Sequence, residues 1–396
     1  ELISNRFTRG NPPRDRTNCP LEQWLQLFKD SDVHRGPKPG YKIMNIGFNK
    51  GYNFATWLNV FAPAVNVDVT HWYNVLKTIP TLSGNDLCGA CSDCNAKPFK
   101  PTIPVTAGQV DPPLHIVGVD LNNASVNIVN TVIAAIRLSH NISEQQLTTK
   151  LIYGAAGSPS DLAGSGVGPN KLKIPKCPTG NELCKIPDDV SKLDPATEFD
   201  YVDVIGVDSL VRELRFLEDY AVKDSTGTSK AALHADIETE NSLVHQTKNL
   251  RESATAYTTD MIDILHIDTE GNDAEVLKTT VGLLKHHKIR ALIFEYHGFL
   301  PWGNTKLSGV IKQLSTYNME CYFMGQNRLW PISGACWHEL YEFHNWSNVM
   351  CILRSDPWLQ AVKPIVQTAA SSRAPVVQTA ASPRTPYQNG ALLRQP

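Results

Sequence analysis

From Tyr41 onward, short apolar runs alternate with stretches of helical period, and this alternation restricts the chain to an α/β architecture built on a mostly parallel sheet. Strands are expected over Lys42 to Ile46, His115 to Val119, Lys150 to Ala155, Ile262 to Ile267, Ala291 to Tyr296, Met319 to Met324 and Asn348 to Leu353. Helices are expected over Phe54 to Phe61, Ala124 to Leu138, Ala274 to His286 and Leu307 to Tyr317. In the second of these, Val126, Val129, Val132, Ile133 and Ile136 share one face at helical spacing and read as core.

The remaining segments surround that frame. Residues 1–39 form an arm rich in Arg, Pro and Asn, with an amphipathic stretch from Leu21 to Phe28 that should pack on the main domain at 40–356. Insertions are expected at 62–113 and 157–200, both irregular and cysteine-bearing, and at 219–259, a polar segment that reads as a helical lid. After Val362 the chain repeats itself, Pro364-Ile-Val-Gln-Thr-Ala-Ala-Ser being echoed from Pro375. This low-complexity tail, 363–396, reads as a disordered linker or as a strip that docks on a protein partner.

Two motifs carry the chemistry. In Asn45-Ile-Gly47-Phe-Asn49-Lys-Gly51, an apolar strand runs into glycines that allow a tight turn before a helix, whose amino end favours polar or anionic groups. In Ile267-Asp268-Thr-Glu270-Gly271, a buried strand delivers two carboxylates at the carboxyl edge of the sheet, where open α/β sheets bind ligands. Between them, Asp120 closes the next clear strand and has the chemistry to accept both hydroxyls of a ribose. A turn, a ribose acceptor and an apolar slot in one β-α-β frame point to S-adenosylmethionine as cofactor. Methyl transfer to a hydroxyl needs close in-line approach and a base, and Asp268, Glu270, Glu295 and His297 are the candidate catalytic groups. Asp268 is also a candidate ligand for a divalent metal.

The order Asn-Ile-Gly-Phe-Asn-Lys-Gly-Tyr, Val-Asp-Leu-Asn-Asn-Ala, Tyr-Gly-Ala-Ala-Gly, Gly-Val-Asp-Ser-Leu, His-Ile-Asp-Thr-Glu-Gly-Asn-Asp-Ala-Glu-Val-Leu and Ile-Phe-Glu-Tyr-His resembles FkbM-type methyltransferases over about residues 40–355. The likeness extends to the eukaryotic branch that carries a Cys-Gly-Ala-Cys-x-x-Cys insertion. The resemblance implies a class I methyltransferase (Rossmann-like) fold: a seven-stranded, mostly parallel sheet with helices on both faces. It also implies a donor-binding set of Asn45, Gly47, Asn49, Gly51, Asp120, Leu121 and Ala156, with Asp268, Glu270 and Glu295 in the reaction site. Two positions depart from the family pattern. Asn45 stands where an acid is usual, so it cannot ion-pair with the donor's ammonium group, and Phe48 stands where a small residue is usual.

Charge and cysteine content limit the partners. With 37 basic and 39 acidic side chains the chain lacks the basic excess of a nucleic-acid binder, and no apolar run approaches the roughly 18 residues of a membrane span. Of 9 cysteines, Cys88, Cys91 and Cys94 cluster, and Cys177 and Cys184 form a second local group. The cluster reads as disulfides, with Cys19 a candidate partner, as a structural zinc site, or as free thiols. With Asn-x-Ser triplets at Asn123, Asn141 and Asn345, the cysteines favour the secretory pathway, in the Golgi lumen or outside the cell, over another organelle. The expected activity is O-methylation of a hydroxyl on a sugar or glycan. The alternatives are a catalytically silent assembly subunit and a glycan-binding module using Trp302, Trp330, Trp337 and Trp346.

Overall fold

A computed structural model describes residues 22–33, 39–82, 87–88, 111–158, 171–176, 198–217, 260–298, 302–325 and 328–362. The apolar runs become β1 (Tyr41–Ile46), β2 (Leu114–Asp120), β3 (Leu147–Tyr153), β7 (Ile262–Ile267), β8 (Ile289–Tyr296), β9 (Met319–Met324), β10 (Leu329–Pro331) and β11 (Ser347–Leu353). They form one eight-stranded sheet of order β10-β9-β11-β8-β7-β1-β2-β3. Strands β1, β2, β3, β7 and β8 are parallel, whereas β9, β10 and β11 pair antiparallel. The expected seven strands are all present. The eighth, β10, arises because Leu329 to Pro331 fold back on β9, and a three-residue strand leaves no periodic signal in the sequence. A small second sheet of order β4-β6-β5 joins Ala155–Ala156 (β4), Lys171–Pro175 (β5) and Phe199–Ile205 (β6), so β5 and part of β6 give structure to the insertion at 157–200.

Helices cover both faces, which is why the strands read as continuous apolar runs. On one face α1 (Glu22–Val33), α2 (Tyr52–Phe61), α3 (Val69–Leu76) and α4 (Asn123–His140) pack over Ile43, Ile116, Ile264, Ile293 and Met350. On the other, α5 (Val207–Glu213), α6 (Asp273–Lys278), α7 (Val281–Lys285) and α8 (Leu307–Thr316) cover Met44, Val117, Leu265, Leu292 and Phe294. The amphipathic stretch of the arm does pack on the domain, through buried Trp24, Leu25 and Phe28, the last stacked on Trp358 with centroids 4.4 Å apart. The insertion at 62–113 is not irregular throughout, since Asp68 caps α3 by accepting from the His71 amide.

The helix expected over Ala274 to His286 is two helices. Thr279 and Thr280 turn their hydroxyls onto the carbonyls of Val276 and Leu277, and Thr279 also accepts the Val207 amide at 3.1 Å. These bonds compete with the helical ladder and divert it towards α5. The segment 219–259 and the repeated tail, with its docking strip, lie outside the described residues.

The topology positions the site. Strand order reverses at β1: β2 and β3 step away on one side, β7 and β8 on the other. Ligands of such sheets bind beyond the carboxyl ends of the strands at that switch. The opposite, amino edge is locked by Arg290, which donates to Asp32, Asp263 and Asp356 at 2.7–3.1 Å and lies 3.8 Å over the Trp358 ring. All five guanidinium N–H groups are satisfied there.

Candidate active site

Past Ile46 the backbone of β1 turns through Gly47 (φ 77°), Asn49 (φ 46°) and Gly51 (φ 77°), and Gly51 starts α2. The Gly47 amide donates to the Val119 carbonyl at 2.7 Å and the Asp268 amide to the Ile46 carbonyl at 2.8 Å, so the turn is wedged between β2 and the end of β7. Asp120 organises it. Its Oδ2 accepts the Phe48 and Asn49 amides at 3.0 and 2.8 Å, and its Oδ1 accepts the Asn122 amide at 2.8 Å. Burial pushes the Asp120 carboxyl up to about 6 against the pull of those three donors. Asp120 therefore holds the turn as well as standing where a ribose is expected. Leu121 follows it, partly buried against the small sheet, and Ala156 lies in β4 paired with Ile205.

The two departures from the family pattern have structural reasons. Phe48 is buried, and a Cβ on Gly118 would stand 2.8 Å from its ring, so the missing side chain of Gly118 makes room for it. Asn45 is fully buried and its Oδ1 lies 2.9 Å from Nδ1 of His266, its register partner on β7. Burial lowers His266 to about 4, so the ring is neutral and Nδ1–H donates.

At the end of β7, Glu270 (φ 53°) and Gly271 (φ 106°) take positive φ and turn the chain just after Asp268. The Asp268 carboxyl is raised well above its usual range, first by desolvation and then by the charges of Glu295, Glu270, Asp273 and Asp120. Beside it on β8, Glu295 is buried, and its Oε2 lies 3.6 Å from Nε2 of buried His297. The His297 ring meets Trp346 with centroids 4.9 Å apart. Antiparallel register sets Asn348 opposite Glu295, bringing the start of β11 to the same edge. The four candidate catalytic residues thus gather at one edge, with His297 buried there.

Sequence reasoning gave no role to Asp273, which connects this edge. Its Oδ1 accepts the Glu295 amide at 3.1 Å, its Oδ2 accepts the Thr269 hydroxyl at 3.1 Å, and burial raises it to about 6. The available signal was an acid in the first turn of the helix after the strand. The four tryptophans separate: Trp302 is fully buried, Trp330 and Trp337 are half-buried against the core, and only Trp346 is exposed.

Cys88 is disulfide-bonded, which favours disulfides over zinc at the cysteine cluster, since a disulfide sulfur is not a thiolate ligand. Cys91, Cys94, Cys19, Cys177 and Cys184 lie outside the described residues. Unforeseen in the sequence is Cys321–Cys351, a buried bridge between register partners on β9 and β11. Among the described residues no group of three His, Cys, Asp or Glu side chains is arranged to hold a metal ion, at Asp268 or elsewhere.

Residues 168–320 match the model of the FkbM methyltransferase domain, a narrower span than the likeness in sequence motifs, and one that includes Asp268, Glu270, Glu295 and His297 but not the first glycine turn. No curated protein and no solved structure matches the chain. The carboxylates at the switch edge of the mostly parallel sheet lie inside this matched segment, so residues 168–320 are what is similar to an FkbM methyltransferase domain.

Proposed function

We propose that the chain transfers a methyl group from S-adenosylmethionine to a hydroxyl, on a sugar or glycan, within the secretory pathway. The observation that carries this reading is the acidic cluster centred on Asp268 at the switch edge, with exposed Trp346 at its rim.

The turn fits the donor. Asn45 Nδ2 and Asn49 Oδ1 are buried without hydrogen-bond partners among the described residues, polar capacity that suits a polar ligand. Gly47, Gly51, Asp120, Leu121 and Ala156 complete the set that would hold it. The surrounding carboxylates give the negative potential that attracts a sulfonium cation. When bound, the donor supplies an electrophilic methyl group.

The chain's own residues then position the acceptor and handle its proton. A carboxylate whose pKa is raised is a better base for a hydroxyl than an ordinary one, which suits Asp268 to the task. Glu295, next to it, can accept a hydroxyl hydrogen bond, and His297 offers a second acceptor 3.6 Å from Glu295. The exposed indole face of Trp346 suits the flat apolar face of a pyranose. Exposed Asn123, Asn141 and Asn345, together with the bonds at Cys88 and between Cys321 and Cys351, support an oxidising, glycosylating compartment.

Calorimetric titration with S-adenosylmethionine, followed by labelled-methyl transfer to a panel of glycans, tests the reading. Saturable binding with transfer to a glycan hydroxyl is expected, and Trp346→Ala should raise KM for that acceptor with donor affinity unchanged. A folded protein that binds no donor overturns the activity, and transfer to other acceptors alone overturns the glycan assignment.

A further inference from the structure

The cysteine-bearing insertion touches the donor turn at two described points. Lys50, between Asn49 and Gly51, is 2% exposed, and its Nζ donates to the Cys88 carbonyl at 2.9 Å. Tyr52, the first residue of α2, donates its hydroxyl to the Leu87 carbonyl at 2.5 Å. The Lys50 carbonyl in turn accepts the Trp72 indole N–H at 2.8 Å, so this stretch is held from both sides. A lysine buried next to the middle of this turn is expensive to desolvate, and a backbone carbonyl is a firm partner only if its own chain segment is fixed. Cys88 is disulfide-bonded, a covalent constraint on this segment.

We infer that Lys50 and Tyr52 are positioning residues through which the Cys88 disulfide holds the donor turn in its binding shape. Residues 87–88 are the clamp, the disulfide fixes the clamp, and Lys50 and Tyr52 carry its position to Phe48 and Asn49, whose amides meet Asp120. A dithiol reductant delivers two electrons and two protons, leaves Cys88 and its partner cysteine as thiols, and itself closes to a disulfide. Residues 87–88 then lose their anchor, the Lys50 ammonium loses a fixed acceptor, and the turn loosens. The chemistry at the carboxylates is untouched.

The effect on the donor rests on the function proposed above, so the test reads the turn directly as well. Hydrogen exchange of the peptide covering Gly47–Tyr52 is followed in the full chain, oxidised and reduced, with alkylation and mass mapping showing Cys88 labelled while Cys321 and Cys351 remain bridged. Reduction should speed exchange of this peptide about tenfold and weaken S-adenosylmethionine binding by a similar factor, the scale of one charge-assisted hydrogen bond. Cys88→Ser should behave as reduced without reductant. Tyr52→Phe and Lys50→Met should exchange faster while oxidised and respond little to reduction. Equal exchange in the oxidised and reduced wild type overturns the inference, as does a Lys50→Met protein that responds fully. Accelerated exchange in a chain that never binds the donor would uphold the clamp and sink the methyltransferase reading.

Discussion

Gly47 and Asp268 meet through backbone alone: a Cβ on Gly47 would stand 1.8 Å from the Asp268 carbonyl oxygen. The contact joins the glycine turn after β1 to the strand end that carries the Asp268 and Glu270 carboxylates, and φ 77° at Gly47 adds a second barrier to any side chain. Gly47→Ala should cost at least about 2 kcal/mol in urea unfolding, since both the clash and the left-handed backbone oppose it. Gly118→Ala, whose Cβ would meet only the side chains of Phe48 and Leu151, should cost less. Equal losses would mean that the turn yields more easily than its contacts imply.

Asp120 accepts three backbone amides, so its removal affects the turn before it affects any ligand. Asp120→Ala should lower stability by on the order of 3 kcal/mol and donor affinity at least tenfold, read by unfolding and by calorimetry. Donor affinity preserved in the variant would remove Asp120 from the donor site.

Asp273 gives a pH dependence of definite sign. Its folded pKa, about 6, exceeds the ordinary 3.8, so the native state holds the proton to higher pH than the unfolded chain. Its contribution to stability is full below the unfolded value and declines as pH rises to about 6, by about 3 kcal/mol in total. Asp273→Asn can still accept the Glu295 amide and should flatten that decline. Parallel stability profiles for wild type and variant between pH 4 and 6 would contradict the assignment.

Arg290 binds three buried carboxylates from α1, β7 and the residue preceding the helix at 357–362. Arg290→Met leaves them without a countercharge and should destabilise the fold by about 3–5 kcal/mol. A thermal unfolding midpoint near the wild-type value would show that the hub contributes little.

Asn45→Asp restores the acid usual in the family, but beside His266 rather than free for a ligand. The His266 pKa should move up from about 4, visible in an NMR titration of its ring protons. An unmoved titration would mean that the two side chains do not bond in solution.

Much of the frame was legible because the strands are buried on both faces and so leave long apolar runs; β7 and β11 match their expected cores to within a residue. The proximity of the candidate site residues was legible where they sit at strand ends, as Asp120, Asp268 and Glu295 do. It was not legible where a role depends on distant chain. Asp273 and Glu295 are 22 positions apart and Lys50 and Cys88 are 38, and neither pair leaves a periodic signal. The break at Thr279 and Thr280 was hidden for a similar reason, since the competing partner of Thr279 is Val207.

The sequence by itself determined the fold class, the two glycine turns and the set of carboxylates, because apolar period and backbone freedom act locally. Tertiary structure decided what those groups do. It made Asp120 the holder of a turn, neutralised His266 beside Asn45, raised Asp268 by gathering four other acids around it, and paired Cys321 with Cys351. Each of these follows from desolvation and from proximity between residues far apart in the chain, and both exist only once the sheet has assembled.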